Sequence, residues 1–425
     1  MKLIVIHLIL AAAALAEPRT LTLRQTVALA LEQNPEVMLA RLDEQKALLE
    51  VRAVQEPVLP KLVAGSGLAY TYGMPMSVEG SAPTIVQVRA IRSLWDPSRG
   101  YLVAKAKEDA RGSGIDTSIV REDVALKTAI LYLDLERAQR AVETVRRQVE
   151  HLQRIEAAVR LRIEEGRQLP LDGKRAAVNL AQARRRLSAL ETTVAAHSLA
   201  LSQALGLDPK TGVRAAMEER EGLALPSGEE EAVAAALGSN KDVRRLESAL
   251  AAKNLEARAH RAGRWPRIDL IAQYGLLSKF NNYEDYFNRF HRHNAQLGAS
   301  FQIPVFGDRL SATRAAQAEL EARRLGVQTR QTRSRVESDT RGAWQRLKDV
   351  EAGRDLARMD LDLAREQVTV LLAQLEEGRA TMQQLEQARF EEQEKWLALY
   401  DAAALVERSR LNLLRQTESL SAALR

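Results

Sequence analysis

The residues able to do chemistry are few, and their spacing does not favour catalysis. The 425-residue chain has no cysteine, which removes thiol nucleophiles, thiolate metal sites, disulfides and a lipid-bearing N-terminal Cys. It has no G-x-x-x-x-G-K-[ST] phosphate loop, no nucleophile-elbow serine and no H-E-x-x-H helix. The one histidine cluster is His291-Arg292-His293. Two imidazoles flanking one residue can reach a common metal ion, but no third histidine or carboxylate stands at a matching spacing. The cluster therefore reads as part of a polar loop, Lys279 to His293, between two strands. Neither an enzyme nor a cofactor is expected. What remains is a pair of glycines set among charges, Glu165-Gly166-Arg167 and Glu377-Gly378-Arg379, each at the end of one long helical pattern and the start of another. Glycine tolerates the positive φ that ends a helix and reverses the chain.

The elements around those glycines are long. Apolar residues make up 46% of the chain but aromatics only 4%, a composition of packed helices rather than of a thick mixed core. The formal charge of +6 and pI near 9.5 would permit nucleic-acid binding. Arginine is nevertheless interleaved with glutamate at helical spacing, as in Arg184 to Arg186 followed by Glu191, and no aromatic platform accompanies it, so a solvated helix face is expected and no nucleic acid. Lys2, the apolar run Leu3 to Ala14 and the A-x-A site Ala14-Leu15-Ala16 read as an export signal, residues 1–16. Beyond it no run of about 18 apolar residues occurs, so no transmembrane helix is expected.

The chain repeats one plan at a period of about 206 to 212 residues, giving expected units at residues 17–225 and 226–425. Asn34-Pro35-Glu36-Val37 returns as Asn240-Lys241-Asp242-Val243, Pro60 as Pro266, and the two Glu-Gly-Arg trios correspond. Each copy opens with a helical segment, Thr22 to about Ala53 and Glu229 to about Arg261. Each then changes to a period of two. The alternation is strong over Asn294 to Phe306 and Ile268 to Leu276, and weaker over Thr84 to Leu94 and Leu62 to Tyr72, where Tyr70 and Tyr72 stand as girdle residues would. Such strands suit either a tilted membrane crossing or a soluble hairpin pair. After them the helical period runs from about Ser98 to Glu165 and from about Leu310 to Glu376, roughly 100 Å each at 1.5 Å per residue. Leu131, Leu135, Ala138, Val142, Val145, Val149 and Leu152 form a coiled-coil seam whose partner is Leu180, Leu187, Val194 and Leu201. His197, in that second series, is expected to make an interhelical hydrogen bond.

Four strands in a membrane leave two unpaired edges, so a barrel would need strands from two, three or four chains. At this point the chain resembles the TolC-like outer-membrane channels of tripartite efflux pumps and type I secretion systems. The resemblance rests on the duplication, on Phe301-Gln302-Ile303-Pro304-Val305-Phe306-Gly307 with its first-copy counterpart Arg92-Ser93-Leu94-Trp95-Asp96, and on the two tips. It implies a mainly α fold with a small β part, in which long helical hairpins form an α-barrel and four strands per chain enter a trimeric 12-stranded transmembrane β-barrel. It also implies a homotrimer in outer-membrane lipid that extends into the periplasm. Export would proceed from a periplasmic membrane-fusion adaptor, docked at Gly166, Arg167, Gly378 and Arg379, and an inner-membrane transporter, and the cargo would be small molecules or proteins. Many relatives carry acids just past the second tip glycine where Gln384 and Gln387 stand here. Asp172, Glu376 and Glu377 remain as tunnel-mouth candidates, either a charged ring or ordinary solvated residues. The alternative is a periplasmic coiled-coil scaffold that never enters a membrane. Intact-mass measurement of exported protein should find Glu17 as the first residue, and retention of Met1 to Ala16 would refute the signal assignment.

Overall fold

A computed structural model describes residues 19–56, 61–67, 84–208, 211–217, 224–277, 291, 293–303 and 309–424. The export signal, Pro60, Tyr70, Tyr72 and Pro304 to Gly307 lie outside the described residues. Within them the order is β1 (Arg19–Leu21), α1 (Leu23–Gln33), α2 (Pro35–Gln55), β2 (Lys61–Gly67), β3 (Thr84–Trp95), α3 (Pro97–Glu164) and α4 (Pro170–Ala204). Then follow β4 (Val213–Ala215), α5 (Glu229–Ser239), α6 (Lys241–Ala262), β5 (Arg267–Leu277), β6 (His293–Gln302), α7 (Arg309–Glu376), α8 (Met382–Gln416) and α9 (Leu420–Ala423). The lengths repeat as well as the order: α3 and α7 have 68 residues each, α4 and α8 have 35, and α1 and α5 have 11.

The opening segment of each copy is two helices, where the sequence suggested one. Asn34 leaves the helical region at φ −64° and ψ 129°, and its N–H still closes the last turn of α1 on Ala30. Its Oδ1 then accepts the Glu36 N–H at 2.8 Å and caps α2, while Nδ2 donates to the Ala204 carbonyl at 2.8 Å. Asn240 breaks the second copy at φ −54° and ψ 120°. Lys241 stands there in place of Pro35, so the asparagine marks the break in both copies, with or without the proline. α3 begins on a similar device, with Asp96 Oδ1 accepting from the Ser98 N–H at 3.0 Å ahead of Pro97.

By compactness the described chain divides into two units, each drawing on both copies. One comprises Ala40–Ser118 and Lys241–Arg333. It holds an antiparallel sheet in the order β2-β3-β5-β6, in which the β3–β5 pairing joins one hairpin to the other. Its helices are tied by polar contacts: Thr117 Oγ1 to the Ala40 carbonyl at 3.1 Å, Ser248 Oγ to the Glu108 carbonyl at 2.8 Å, and Arg333 to Glu247 at 2.6 Å.

The other unit takes the chain up to Leu39, Ile119–Asn240 and Ser334–Arg425. Its largest core gathers Val27 and Ala30 of α1, Val124, Tyr132 and Leu135 of α3, Leu201 of α4, and Leu411 and Leu414 of α8. β1 and β4 add a parallel pair, Arg19 opposite Val213 and Leu21 opposite Ala215, that three-residue runs gave no periodic signal for. Tyr132 is 1% exposed and its hydroxyl donates to the Ala216 carbonyl at 3.0 Å.

Asn34→Ala should lower stability by about 1–2 kcal/mol, since it removes a cap and leaves the Ala204 carbonyl without its donor. Pro35→Lys should change it by less than about 0.5 kcal/mol, and denaturant unfolding of the two variants side by side checks the contrast.

Candidate functional site

The two tips close in the same way. α3 ends where the Gly166 N–H donates to the Ile163 carbonyl at 3.0 Å and the Arg167 N–H reaches back to Arg162 at 2.8 Å. α7 ends where Gly378 donates to Leu375 at 3.0 Å and Arg379 to Gln374 at 2.8 Å. This pair of bonds is the Schellman arrangement, which needs a left-handed residue at the glycine. Gly166 and Gly378 have φ 71° and 72°. A Cβ at either would meet nothing within 4 Å, so only backbone conformation, not crowding, asks for glycine there. Arg167 and Arg379 fold onto Glu165 and Glu377 at 3.2 and 3.1 Å, pairs exposed enough to be worth little.

The mouth candidates occupy ordinary helix-start positions. Asp172 lies in the first turn of α4, behind Pro170, where the helix dipole favours an acid, and it is 3.9 Å from Arg175. Gln384 accepts from the Thr381 N–H at 2.8 Å while Thr381 Oγ1 accepts from the Gln384 N–H at 3.3 Å, a capping box that starts α8. Gln387 donates to Glu391 at 3.1 Å, and Glu376 is exposed. The glutamine at 384, where an acid was sought, therefore serves the helix start.

Behind the tips each hairpin zips along its own seam. Val149 and Leu152 of α3 meet Leu180, Ala183 and Leu187 of α4, and Val368, Leu371 and Leu375 of α7 meet Leu385 and Ala388 of α8. Charged rungs then join α3 to α8: Asp123 to Arg415 at 2.9 Å, Asp134 to Arg408 at 2.6 Å and Arg137 to Asp401 at 2.6 Å. Burial disfavours the Arg415 cation, but Asp123, Glu418 and Glu122 more than offset this and hold its pKa above the usual arginine value. Arg186 of α4 pairs with Glu394 of α8.

His197 makes no hydrogen bond among the described residues, contrary to the expectation for it. His151 does that work, its Nε2 lying 2.8 Å from Arg389 Nη1 and 3.3 Å from Glu386 Oε1. It lines a cleft of about 450 Å³ with Gln148, Asn179, Gln182, Gln383 and Gln387. Sequence reading missed this amide-lined cleft because amides carry no periodic signal, although Gln148 and Gln182 each flank a seam position.

In the sheet, register gathers most apolar residues on one face. Ile268, Leu270, Ala272 and Tyr274 of β5 stand opposite Phe301, Ala299, Leu297 and Ala295 of β6. Val86, Val88 and Ala90 of β3 continue that face beside Leu276, Tyr274 and Ala272, and Leu62 and Ala64 of β2 beside Ala90 and Val88. Leu62, Leu297 and Phe301 are 75%, 77% and 67% exposed. The opposite face carries Gln87, Arg89, Ser93, Asp269, Gln273, Gln296 and Ser300, with Val63, Ile91 and Ile271 among them. Tyr274 bonds His293 Nδ1 at 2.7 Å, and among the described residues no group of three or more potential ligands could hold a metal. Among the described residues no helix is long and apolar enough to cross a membrane.

Solved structures match this architecture over most of the chain. The outer-membrane channel CmeC of Campylobacter jejuni superposes with TM-score 0.75 at 16% identity, over 94% of this chain and 86% of that one. The chain has the TolC-like outer-membrane channel fold. The outer-membrane protein VceC of Vibrio cholerae matches with TM-score 0.71 at 16% identity, covering 95% of each chain. The open state of the MtrE outer-membrane channel of Neisseria gonorrhoeae matches with TM-score 0.69 at 17% identity, over 95% of this chain and 88% of that one. No protein-family model and no curated protein matches the sequence.

Gly378→Ala should place a Cβ in the left-handed region at a cost of about 1–2 kcal/mol, and Gly378→Asn less. Hydrogen exchange at the Gly378 and Arg379 amides should quicken about 5- to 30-fold in the alanine variant, with the rest of α7 unchanged.

Proposed function

We propose that three copies of this chain close a 12-stranded β-barrel in the outer membrane and continue into the periplasm as an α-helical tunnel that exports solutes. The observation that carries the reading is the uncovered apolar sheet face together with its two free edges. Among the described residues β2 and β6 each pair on one side only. A membrane sheet must satisfy every backbone group and so must close, and an apolar face with Leu62, Leu297 and Phe301 mostly bare is what lipid covers at the outside of a barrel.

A second feature favours assembly from several chains. Leu356, Met359, Leu363 and Val370 of α7 are 57%, 62%, 57% and 49% exposed and step by three, four and seven. That is a second coiled-coil seam on α7, facing away from the one that α8 covers. A neighbouring copy of the chain would supply the missing helix. The two tips, Gly166-Arg167 and Gly378-Arg379, are the surface on which a membrane-fusion adaptor would dock and through which an inner-membrane transporter would be served. Asp172, Glu376, Glu377, Gln384 and Gln387 would border the mouth of the tunnel. Cargo crosses without chemical change, so no catalytic residue or cofactor is needed.

Native mass spectrometry from mild detergent should give a trimer, and planar bilayers should show unitary conductance. A folded monomer in micelles, or recovery of the protein in the soluble periplasmic fraction, would favour the scaffold reading instead. Replacing Gly166 and Gly378 together by Val should spare trimer and insertion yet abolish adaptor capture and efflux, whereas polar exchanges at Glu143 or Arg358 should be tolerated. Normal efflux by the double variant with failure of the mid-helix variants would move the docking site away from the tips.

A further inference from the structure

The polar face of the sheet carries an unbalanced cation. Arg89 lies at the middle of β3, in register with Val63 of β2 on one side and Gln273 of β5 on the other, with Gln296 of β6 next in the row. None of these neighbours is acidic. Arg89 makes no hydrogen bond or ion pair among the described residues, and its Nε is buried without a partner. The single acid of the face in these strands, Asp269, is 8% exposed and held by Arg267 Nε at 3.1 Å. Asp269 stands in the row of Ser93, four residues or roughly 13 Å along the strand from Arg89. Two guanidiniums against one carboxylate leave a net positive face, to which Lys61 of β2 also belongs by register, and Arg89 is the guanidinium without an acid beside it.

This face is also kept open. Gly65, Gly275 and Gly298 belong to it by register, and a Cβ added at Gly65 or Gly298 would meet nothing within 4 Å. The other arginine of β3, Arg92, falls on the apolar face opposite Leu270, three residues before Trp95 at the end of the strand. From there its long side chain can snorkel to the headgroup level.

We propose that Arg89 gives the barrel lumen an anion-binding ring, so that the channel favours anionic over cationic solutes. The inference rests on the barrel reading above: with the apolar face toward lipid the Arg89 face must line the lumen, and three chains bring three unpaired guanidiniums to one level. Weakly hydrated, planar and always charged, guanidinium is suited to holding carboxylate, phosphate or sulfate groups in passing. Its field in a lumen walled by low-dielectric lipid is screened only over the Debye length, about 30 Å at 0.01 M salt and 10 Å at 0.1 M. Preference should therefore be strongest in dilute salt. An acid ring at the tunnel mouth, from Asp172 or Glu376 and Glu377, would give the opposite sign.

The test is the reversal potential of single channels of the full chain in a tenfold KCl gradient, with chloride and potassium as the probes. The expected result is a chloride-to-potassium permeability ratio above about 2 in dilute salt, falling toward 1 as salt rises. Arg89→Gln should bring the ratio to about 1 or below without loss of conductance, Arg89→Lys should retain most of it, and Arg92→Gln should leave it unchanged. A potassium-selective wild type, or a ratio unmoved by Arg89→Gln, overturns the proposal while leaving the channel standing. Absence of any unitary conductance would instead overturn the channel reading, and this inference with it.

Discussion

An open sheet edge is what every other feature of this chain has to answer. Among the described residues β2 and β6 each pair on one side only, which leaves backbone N–H and C=O groups open at opposite ends of the sheet order β2-β3-β5-β6. In water such edges are solvated at little cost; beside hydrocarbon each unmet group costs several kcal/mol. The apolar face, alternating in register across all four strands, argues for hydrocarbon. Under the barrel reading, the described strands would close only with strands of other copies. On the reading proposed above the chain is a sector whose stability in the membrane would depend on its copies, which would also account for the bare apolar helix surface at Leu356, Met359 and Leu363.

Joining within the chain is a different matter, and β3–β5 pairing does it. The two hairpins come from the two halves of the sequence, yet Val86 opposite Leu276 and Ala90 opposite Ala272 make one continuous sheet of them. A slip of one residue would turn Leu270 and Ala272 to the polar side. The bulges recorded near Thr84 and near Trp95 lie at the two ends of the β3–β5 ladder, and the eight rows between run in unbroken register.

Much of this was legible from periodicity. The 68-residue helices, the seam of the first hairpin and both tip glycines were placed to within a few residues, as were the four strands where the described residues cover them, because a long repeat averages over local exceptions. What escaped was non-periodic. Asn34 and Asn240 end one helix and start the next without altering the apolar pattern, so a break was hinted at only by residue type, the asparagine in both copies and Pro35 in the first. The expected role of His197 fell instead to His151, since which half-buried imidazole meets a partner depends on α8, a helix more than 200 residues away. The amide cleft and the guanidinium left alone on β3 share that reason: whether Gln182 or Arg89 has a partner is decided by strands and helices from the other copy.

The rungs between α3 and α8 have a consequence for how such a chain can change. Asp123, Asp134, Arg137 and His151 meet Arg415, Arg408, Asp401 and Glu386 in reversed order, so the two helices are geared to one another tooth by tooth. One residue inserted into α3 between Arg137 and His151 turns everything beyond it by about 100° and 1.5 Å, which unmeshes the His151 rung while leaving the Asp134 rung intact. A whole heptad restores the angle but still displaces the gear by roughly 10 Å. Length in either hairpin is thus not a free variable: viable insertions or deletions should be found only as matched heptads in both copies. The equal helix lengths of the two halves would then be a running constraint on the gene and not merely a relic of its duplication.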